Sequence, residues 1–321
     1  MGSPELAQYA DFYADMTRRF GLTDNLELWR DISERLHQLT SEPEDVTYRD
    51  VTANGVPAIL VMPADSSPDH ILLHSHSGGG VTASMWQERK AVGHLAKAAG
   101  ARALVINYRL APEDKFPAQI DDVEAAYRWL LDQGYDPSRI ASTGDSIGGN
   151  FAVNLALTLQ RKNAPLPGAV LSMSPWFDME LSNESIDTNA SVDKMLSRDL
   201  LRGFSDSMLD GTGIAVTDPR INLAYADPAG LPPTMIYYGG YELLVDDANQ
   251  FAERARAAVA AAAFAPAVLS ASPALLEVDH FADLAAICGT LNCAPGELLQ
   301  DSQLAAAFSR AASELLGQTS G

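Results

Sequence analysis

The sequence predicts an α/β protein with a mostly parallel central sheet covered by helices on both faces. Three observations carry that expectation. Short, mainly apolar runs recur at residues 71–73, 103–106, 140–143, 169–172 and 235–238, as strands buried on both faces do. Helical patterns at 88–99, 119–132, 148–160 and 246–262 separate most of them, the alternation of βαβ units. A serine framed by glycines stands between one such run and the helix after it.

The remaining elements follow in chain order. Phe12, Met16 and Phe20, then Leu26, Trp29, Ile32 and Leu36, recur at helical spacing and predict two amphipathic helices. Residues 42–50 and 56–62 alternate like half-buried strands, and Asn54-Gly55 between them is the strongest short hairpin signal. Between Pro175 and Pro232 no βα unit is visible; two short helices are expected around 197–208. An insertion of this size beside an α/β sheet often forms a lid. The expected division is therefore residues 1–45 as N-terminal cap helices, 46–176 and 226–321 as the core, and 177–225 as a cap insertion packed on the N-terminal helices. Residues 257–276 carry no charge, but they are rich in alanine and broken by Pro266 and Pro273. They read as a helix end, a loop and a strand, too weakly apolar for a membrane span.

Composition bounds the function. A chain of 321 residues with 47% hydrophobic content can bury a large core. Cys288 and Cys293 are its two cysteines, which excludes a disulfide framework and supplies too little for structural zinc. A net charge of −20 makes nucleic acid and anionic membranes poor partners. Glu5, Asp11 and Asp15 lie where a secretory signal would be apolar, so a cytoplasmic protein is expected. The oligomeric state stays open, a homodimer included.

Gly144-Asp-Ser-Ile-Gly148 follows the run at 140–143 and precedes a helix, the setting in which G-x-S-x-G presents a nucleophile. Ser146 on a sharp turn would project its hydroxyl from the sheet, and the glycines would leave room for neighbouring backbone. A serine needs a base. Of the histidines at 37, 70, 74, 76, 94 and 280, only His280 follows Ser146, just past an apolar run. The orienting acid should stand at the end of the preceding strand. Glu242 falls in the turn after 235–238, while Asp246 and Asp247 resemble the start of the next helix; Asp246 remains the alternative.

His74-Ser-His-Ser-Gly-Gly-Gly80 could in principle be a metal site, a phosphate loop or an oxyanion hole. No third His or Cys stands near His74 and His76, with Asp69 a weak third ligand, and no lysine follows the glycines as in a phosphate loop. Acyl transfer needs backbone N–H groups aimed at a developing oxyanion, and glycines let a loop present them. His76 is expected to bond the loop backbone with its ring.

Taken together, His76-Ser-Gly-Gly79, Tyr108-Arg-Leu-Ala-Pro-Glu113, Phe116-Pro117, Gly144-Asp-Ser-Ile-Gly-Gly149 and Gly230-Leu-Pro-Pro233 resemble the bacterial hormone-sensitive-lipase family of carboxylesterases over about residues 45–280. Within it, Thr188-Asn-Ala190, Asp193 and Met195-Leu196, with Gly240-Tyr-Glu242, are similar to esterases related to monoterpene ε-lactone hydrolases. The resemblance implies an α/β-hydrolase core with a helical cap and no cofactor. It implies Ser146, Glu242 and His280 as the triad, Gly78, Gly79 and Ile147 as oxyanion donors, and small acyl esters as substrates. Three departures stand out: Ser77 replaces the first glycine of HGGG, Ile147 replaces a usual alanine, and the link before His280 is longer. A one-residue shift of the loop would make Gly79 and Gly80 the donors. Val81, Met85 and Trp86 are candidates to line the pocket or to pack in the core. A lactonase or amidase would use the same triad, and a ligand-binding module that has lost catalysis is the remaining alternative.

Overall fold

In the computed structural model, residues 11–12, 14–19, 25–35, 40–264 and 276–279 are described. His280, Cys288 and Cys293 lie outside the described residues, as do residues 265–275 of the expected loop.

Strands β1 (Val46–Ala53) and β2 (Val56–Pro63) form the expected antiparallel hairpin, with Ala53 opposite Val56. Asn54 and Gly55 both adopt positive φ, 49° and 92°, the turn whose twist matches that of paired strands. The sheet continues with β3 (Ser67–Ser75), β4 (Ala101–Ile106), β5 (Ile140–Asp145), β6 (Ala169–Met173), β7 (Thr234–Tyr238) and β8 (Leu276–Asp279). Its order is β1-β2-β4-β3-β5-β6-β7-β8, antiparallel at β1–β2–β4 and parallel from β4 onward. The expected α/β class with a mostly parallel sheet is the observed one.

Helices α1 (Leu26–Glu34), α2 (Met85–Ala99), α3 (Ala118–Asp132), α4 (Ile147–Arg161), α5 (Ser185–Thr188), α6 (Arg198–Leu209) and α7 (Val245–Phe264) surround it. Successive strand residues face opposite sides. Ile71 and Leu73 join a core with Val123 and Tyr127 of α3 and Phe151 and Leu155 of α4, whereas Leu72 joins Val92 and Ala96 of α2. Two-sided burial explains why these strands read as apolar runs. The start of α2 is set by Ser84, whose hydroxyl accepts the Trp86 and Gln87 N–H groups, and its end by Gly100 at φ 61°.

The 177–225 segment differs from expectation in one respect. A single helix, α6, spans the region read as two, and α5 precedes it. Leu201, Phe204, Met208 and Leu209 lie on one buried face of α6, so packing carries the helix through Gly203. Trp29 of α1 meets Phe204 edge to face at 6.2 Å between centroids, and Met16 and Ile32 are buried with Trp29 and Leu200 packed against them. Both ends of the segment are tied to α4: Asn150 Nδ2 donates to Trp176 O (2.9 Å) and Ile221 O (2.8 Å).

Phe151 is fully buried and meets Tyr108 edge to face at 5.3 Å. Phe151→Ala should destabilise the protein by about 3–5 kcal/mol, seen as a lower urea midpoint with an unchanged m-value.

Candidate active site

β5 ends at Asp145 and α4 begins at Ile147, so Ser146 is the whole turn. Its φ of 56° and ψ of −121° lie outside the regions comfortable for an L-residue, at a cost of roughly 1–3 kcal/mol. The surroundings hold it there: Ser146 N–H donates to Met173 O (2.9 Å), and its carbonyl accepts from Asn150 N–H (3.2 Å) and Trp176 N–H (3.1 Å). The framing glycines are required by close approach. A Cβ on Gly144 would stand 2.2 Å from Gly148 O, and one on Gly148 would stand 2.1 Å from Ser75 O. Backbone oxygens cannot move aside, so the helix can start beside the end of β3 only without side chains there.

The glycine loop follows β3. Gly78, Gly79 and Gly80 all have positive φ (92°, 65° and 73°), and a Cβ on Gly78 would collide with Thr82 O at 2.2 Å. The Gly78 carbonyl is consumed within the turn by Val81 N–H (3.1 Å) and Thr82 N–H (2.9 Å), and Gly80 O accepts from Ala111 N–H (2.8 Å). Among the described residues, no acceptor is found for the N–H groups of Gly78, Gly79, Gly80 or Ile147. Phe204 of α6 packs on Gly79 and Met208 on Gly80, and Arg30 of α1 donates to Val81 O (2.9 Å) and Ala111 O (3.1 Å).

His76 bonds the loop backbone, as its position in the sequence suggested. Its ring stacks on Tyr108 at 4.0 Å, and Nδ1 lies 2.8 Å from Ser77 O. Burial pushes its pKa down to about 4, which keeps the ring neutral. His74 does something else. Nδ1 lies 3.0 Å from Thr143 Oγ1, and Nε2 faces Asp145 (3.7 Å) and Glu88 (3.8 Å). These three residues bring donor atoms within 4.8 Å of one another and are the group among the described residues that could hold a cation. Sequence spacing had offered Asp69 as the third ligand. The fold instead supplies Glu88 and Asp145, from α2 and β5, which no local spacing could reveal.

Glu242 lies four residues beyond β7. Its Oε1 accepts from Ser174 Oγ (2.8 Å) and Gly239 N–H (2.9 Å), and its buried Oε2 has no partner among the described residues. Burial pushes the carboxyl up to about 7. The neighbouring acids are otherwise engaged. Asp246 accepts from Ser185 N–H (2.8 Å), and Asp247 accepts from Phe177 N–H, Asp178 N–H and Asn183 Nδ2, each at 2.7 Å. The Glu242 turn is held by the insertion: Asn189 Nδ2 donates to Glu242 O (2.8 Å), and Asp193 Oδ2 accepts from Leu243 N–H (2.9 Å). Ser174, at the end of β6, is a partner that the sequence reading missed; its place beside β7 was the available signal.

β8 ends at Asp279, paired with Tyr238, so the residue before His280 lies beside the end of the strand that leads to Glu242. His280 itself is outside the described residues. Ile147 is fully buried in the main core, Val81 packs there too, and Met85 lies in the cluster on the α2 face. Trp86 is 47% exposed. The first three have the surroundings of core residues.

A strained serine between strand and helix, a glycine loop at the neighbouring strand end and an acid beyond β7 define a hydrolase of the α/β class. The family profile described as "alpha/beta hydrolase fold" matches residues 72–266. The chain is 36% identical over 251 residues to an acetyl-hydrolase of Streptomyces hygroscopicus, covering 77% of this chain and 79% of that one. It is 32% identical over 230 residues to an esterase of Acinetobacter venetianus, covering 71% and 75%. A crystal structure of an esterase from the bacterial hormone-sensitive lipase family superposes with TM-score 0.83 and 33% identity, covering 99% of this chain and all of that one. The chain belongs to this hormone-sensitive-lipase family of α/β-hydrolase carboxylesterases. Among the described residues, no helix is long and apolar enough to cross a membrane.

Two glycine substitutions should separate sharply. Gly148→Ala forces a carbon against Ser75 O and should abolish soluble, active protein. Gly203→Ala, with nothing within 4 Å of the new carbon, should raise stability by about 0.5–1 kcal/mol in thermal unfolding.

Proposed function

We propose that this carboxylesterase hydrolyses small, short-to-medium acyl esters through a triad of Ser146, His280 and Glu242 and a covalent acyl-enzyme. The observation that carries the reading is Ser146 in its strained turn, next to a loop whose glycine N–H groups have no acceptor among the described residues. In this mechanism His280 takes the Ser146 proton as Oγ attacks the ester carbonyl. The tetrahedral oxyanion is met by Gly78, Gly79 and Ile147 N–H groups. His280 then protonates the leaving alcohol, and later activates the water that releases the acid.

Glu242 suits the orienting role because Oε1 is fixed by Ser174 and Gly239 while the buried Oε2 is open to an imidazole N–H. Asp246, already bonded to Ser185, is the weaker candidate. The N-terminal helices and residues 177–225 serve as the cap in this reading, which the contacts of Trp29, Phe204 and Arg30 support. No cofactor enters the mechanism. The proposed partner is a small-molecule ester in the cytoplasm rather than nucleic acid or a membrane, in keeping with a net charge of −20.

The test is hydrolysis of a p-nitrophenyl ester series from acetate to dodecanoate. Wild type should cleave short esters, and Ser146→Ala should lose roughly 10⁴-fold or more in kcat; equal activity in both would sink the triad. The active form needs ionised Glu242 and neutral His280, and both are favoured as pH rises. kcat/KM should therefore climb through about pH 7 and then level. Glu242→Gln should cost on the order of 10⁴-fold in kcat with little change in fold. The raised carboxyl also affects stability. Between about 4.5 and 7 the folded protein keeps a proton that the unfolded chain has lost, so this group makes stability fall as pH rises through that window.

A further inference from the structure

We infer that Ser77 and Glu88 are positioning residues for the reaction: their part-buried hydrogen bond, set among His74 and Asp145, fixes the peptide plane that aims the Gly78 N–H at the oxyanion. The inference rests on the proposed oxyanion role of Gly78.

Peptide geometry comes first. The carbonyl of Ser77 and the N–H of Gly78 belong to one planar trans unit and point in opposite directions. Whatever holds the Ser77 carbonyl therefore aims the Gly78 N–H. Tyr108 Oη donates to Ser77 O at 3.1 Å and also to His76 O at 2.9 Å, and His76 Nδ1 lies 2.8 Å from Ser77 O. The ring that supplies Nδ1 is itself clamped on Tyr108. On its other side Ser77 is held by its side chain: Oγ donates to Glu88 Oε1 at 2.8 Å, and its N–H lies 3.5 Å from the same oxygen. Glycine at this position could not make the Oγ bond. The serine that departs from the HGGG pattern is thus a second anchor for the loop.

Glu88 is suited to that task. It stands in the first turn of α2, where the helix N-terminus favours a negative charge, and its side chain is 11% exposed. Burial works against its ionisation, but His74 and Ser77 together hold the carboxyl below its usual range. Asp145 is shifted the opposite way, since burial and the Glu88 charge push it well above its usual range. The carboxylate that accepts from Ser77 is thus the one held toward its charged form, and charge-assisted bonds of this kind are stronger than neutral ones. The titratable groups packed around it are His74 from β3, His76 from the loop, Tyr108 after β4 and Asp145 from β5. Asp145 is also the residue before the nucleophile, so one network touches both halves of the reacting geometry.

The experiment compares wild type, Ser77→Ala and Glu88→Gln on p-nitrophenyl butyrate, with melting temperatures and affinities for an alkyl trifluoromethyl ketone, which forms a tetrahedral adduct at the nucleophile. Loss of a whole oxyanion donor costs about 10²–10³-fold in kcat, so misaiming one should cost on the order of tenfold. Both variants should lose that factor in kcat with KM within about twofold. Ketone affinity should fall by the same factor, and the double variant should lose no more than the worse single one. Unchanged kcat, a loss confined to KM, or unchanged ketone affinity would overturn the inference. So would a zinc-induced rise in wild-type melting temperature that Glu88→Gln abolishes, since the cluster would then be a metal site. Should Glu88→Gln fail to fold, Ser77→Ala decides alone, because it keeps the charge of the cluster. Wild-type hydrolysis and its loss in Ser146→Ala test the esterase reading separately, so an active wild type with indifferent Ser77 and Glu88 variants sinks only this inference.

Discussion

The rest of the site depends on one close approach, that of the β5–α4 turn to the end of β3. Ser75 O stands where a Gly148 side chain would begin, and Gly148 O where a Gly144 side chain would begin. This contact lets α4 start immediately after Ser146 and bends the backbone at that serine to a positive φ. It also sets the glycine loop after β3 against the turn. The serine turn and the glycine loop are thus two strand ends held together by backbone contact, and Asn150 N–H, Trp176 N–H and Met173 O lock the strained residue with hydrogen bonds. Strain of a few kcal/mol persists only where its surroundings over-determine it.

The elements outside the sheet close on this contact from two directions. Helix α6 lays Phe204 and Met208 on the glycines, and α1 adds Trp29 to Phe204 and Arg30 to the loop carbonyls. The same insertion steadies the acid, through Asn189 and Asp193 on the backbone around Glu242. Two stretches that lie far apart in the sequence and carry one resemblance together, Thr188–Leu196 and Gly240–Glu242, are one bonded unit in space. Beneath the loop, the Ser77–Glu88 bond ties the polar part of the His74–Gly80 stretch to α2, and His74 faces Asp145 at the end of β5.

Much of the fold was legible because buried parallel strands must be apolar on both faces and their helices amphipathic. The five core runs and the four helices read with them appear within a few residues of where the pattern put them. α6 was harder to read: two short helices were expected around 197–208, and the packing of Leu201, Phe204 and Met208 carries one helix through Gly203. Val81 and Met85 were ambiguous between pocket and core, and the structure puts both in core clusters.

By itself the sequence determined the fold class, the serine turn and the glycine loop beside it. Those signals are local: a strand, a turn that needs glycine and a helix are consecutive in the chain, and steric exclusion acts between near neighbours. Only the tertiary structure decided which polar groups meet across the chain. Ser174 reaches Glu242 over 68 residues, and Ser77 and His74 meet Glu88 and Asp145 from α2 and β5. No spacing encodes such meetings. They exist because sheet order brings distant strand ends side by side, and because a buried carboxylate must find a donor or give up its charge.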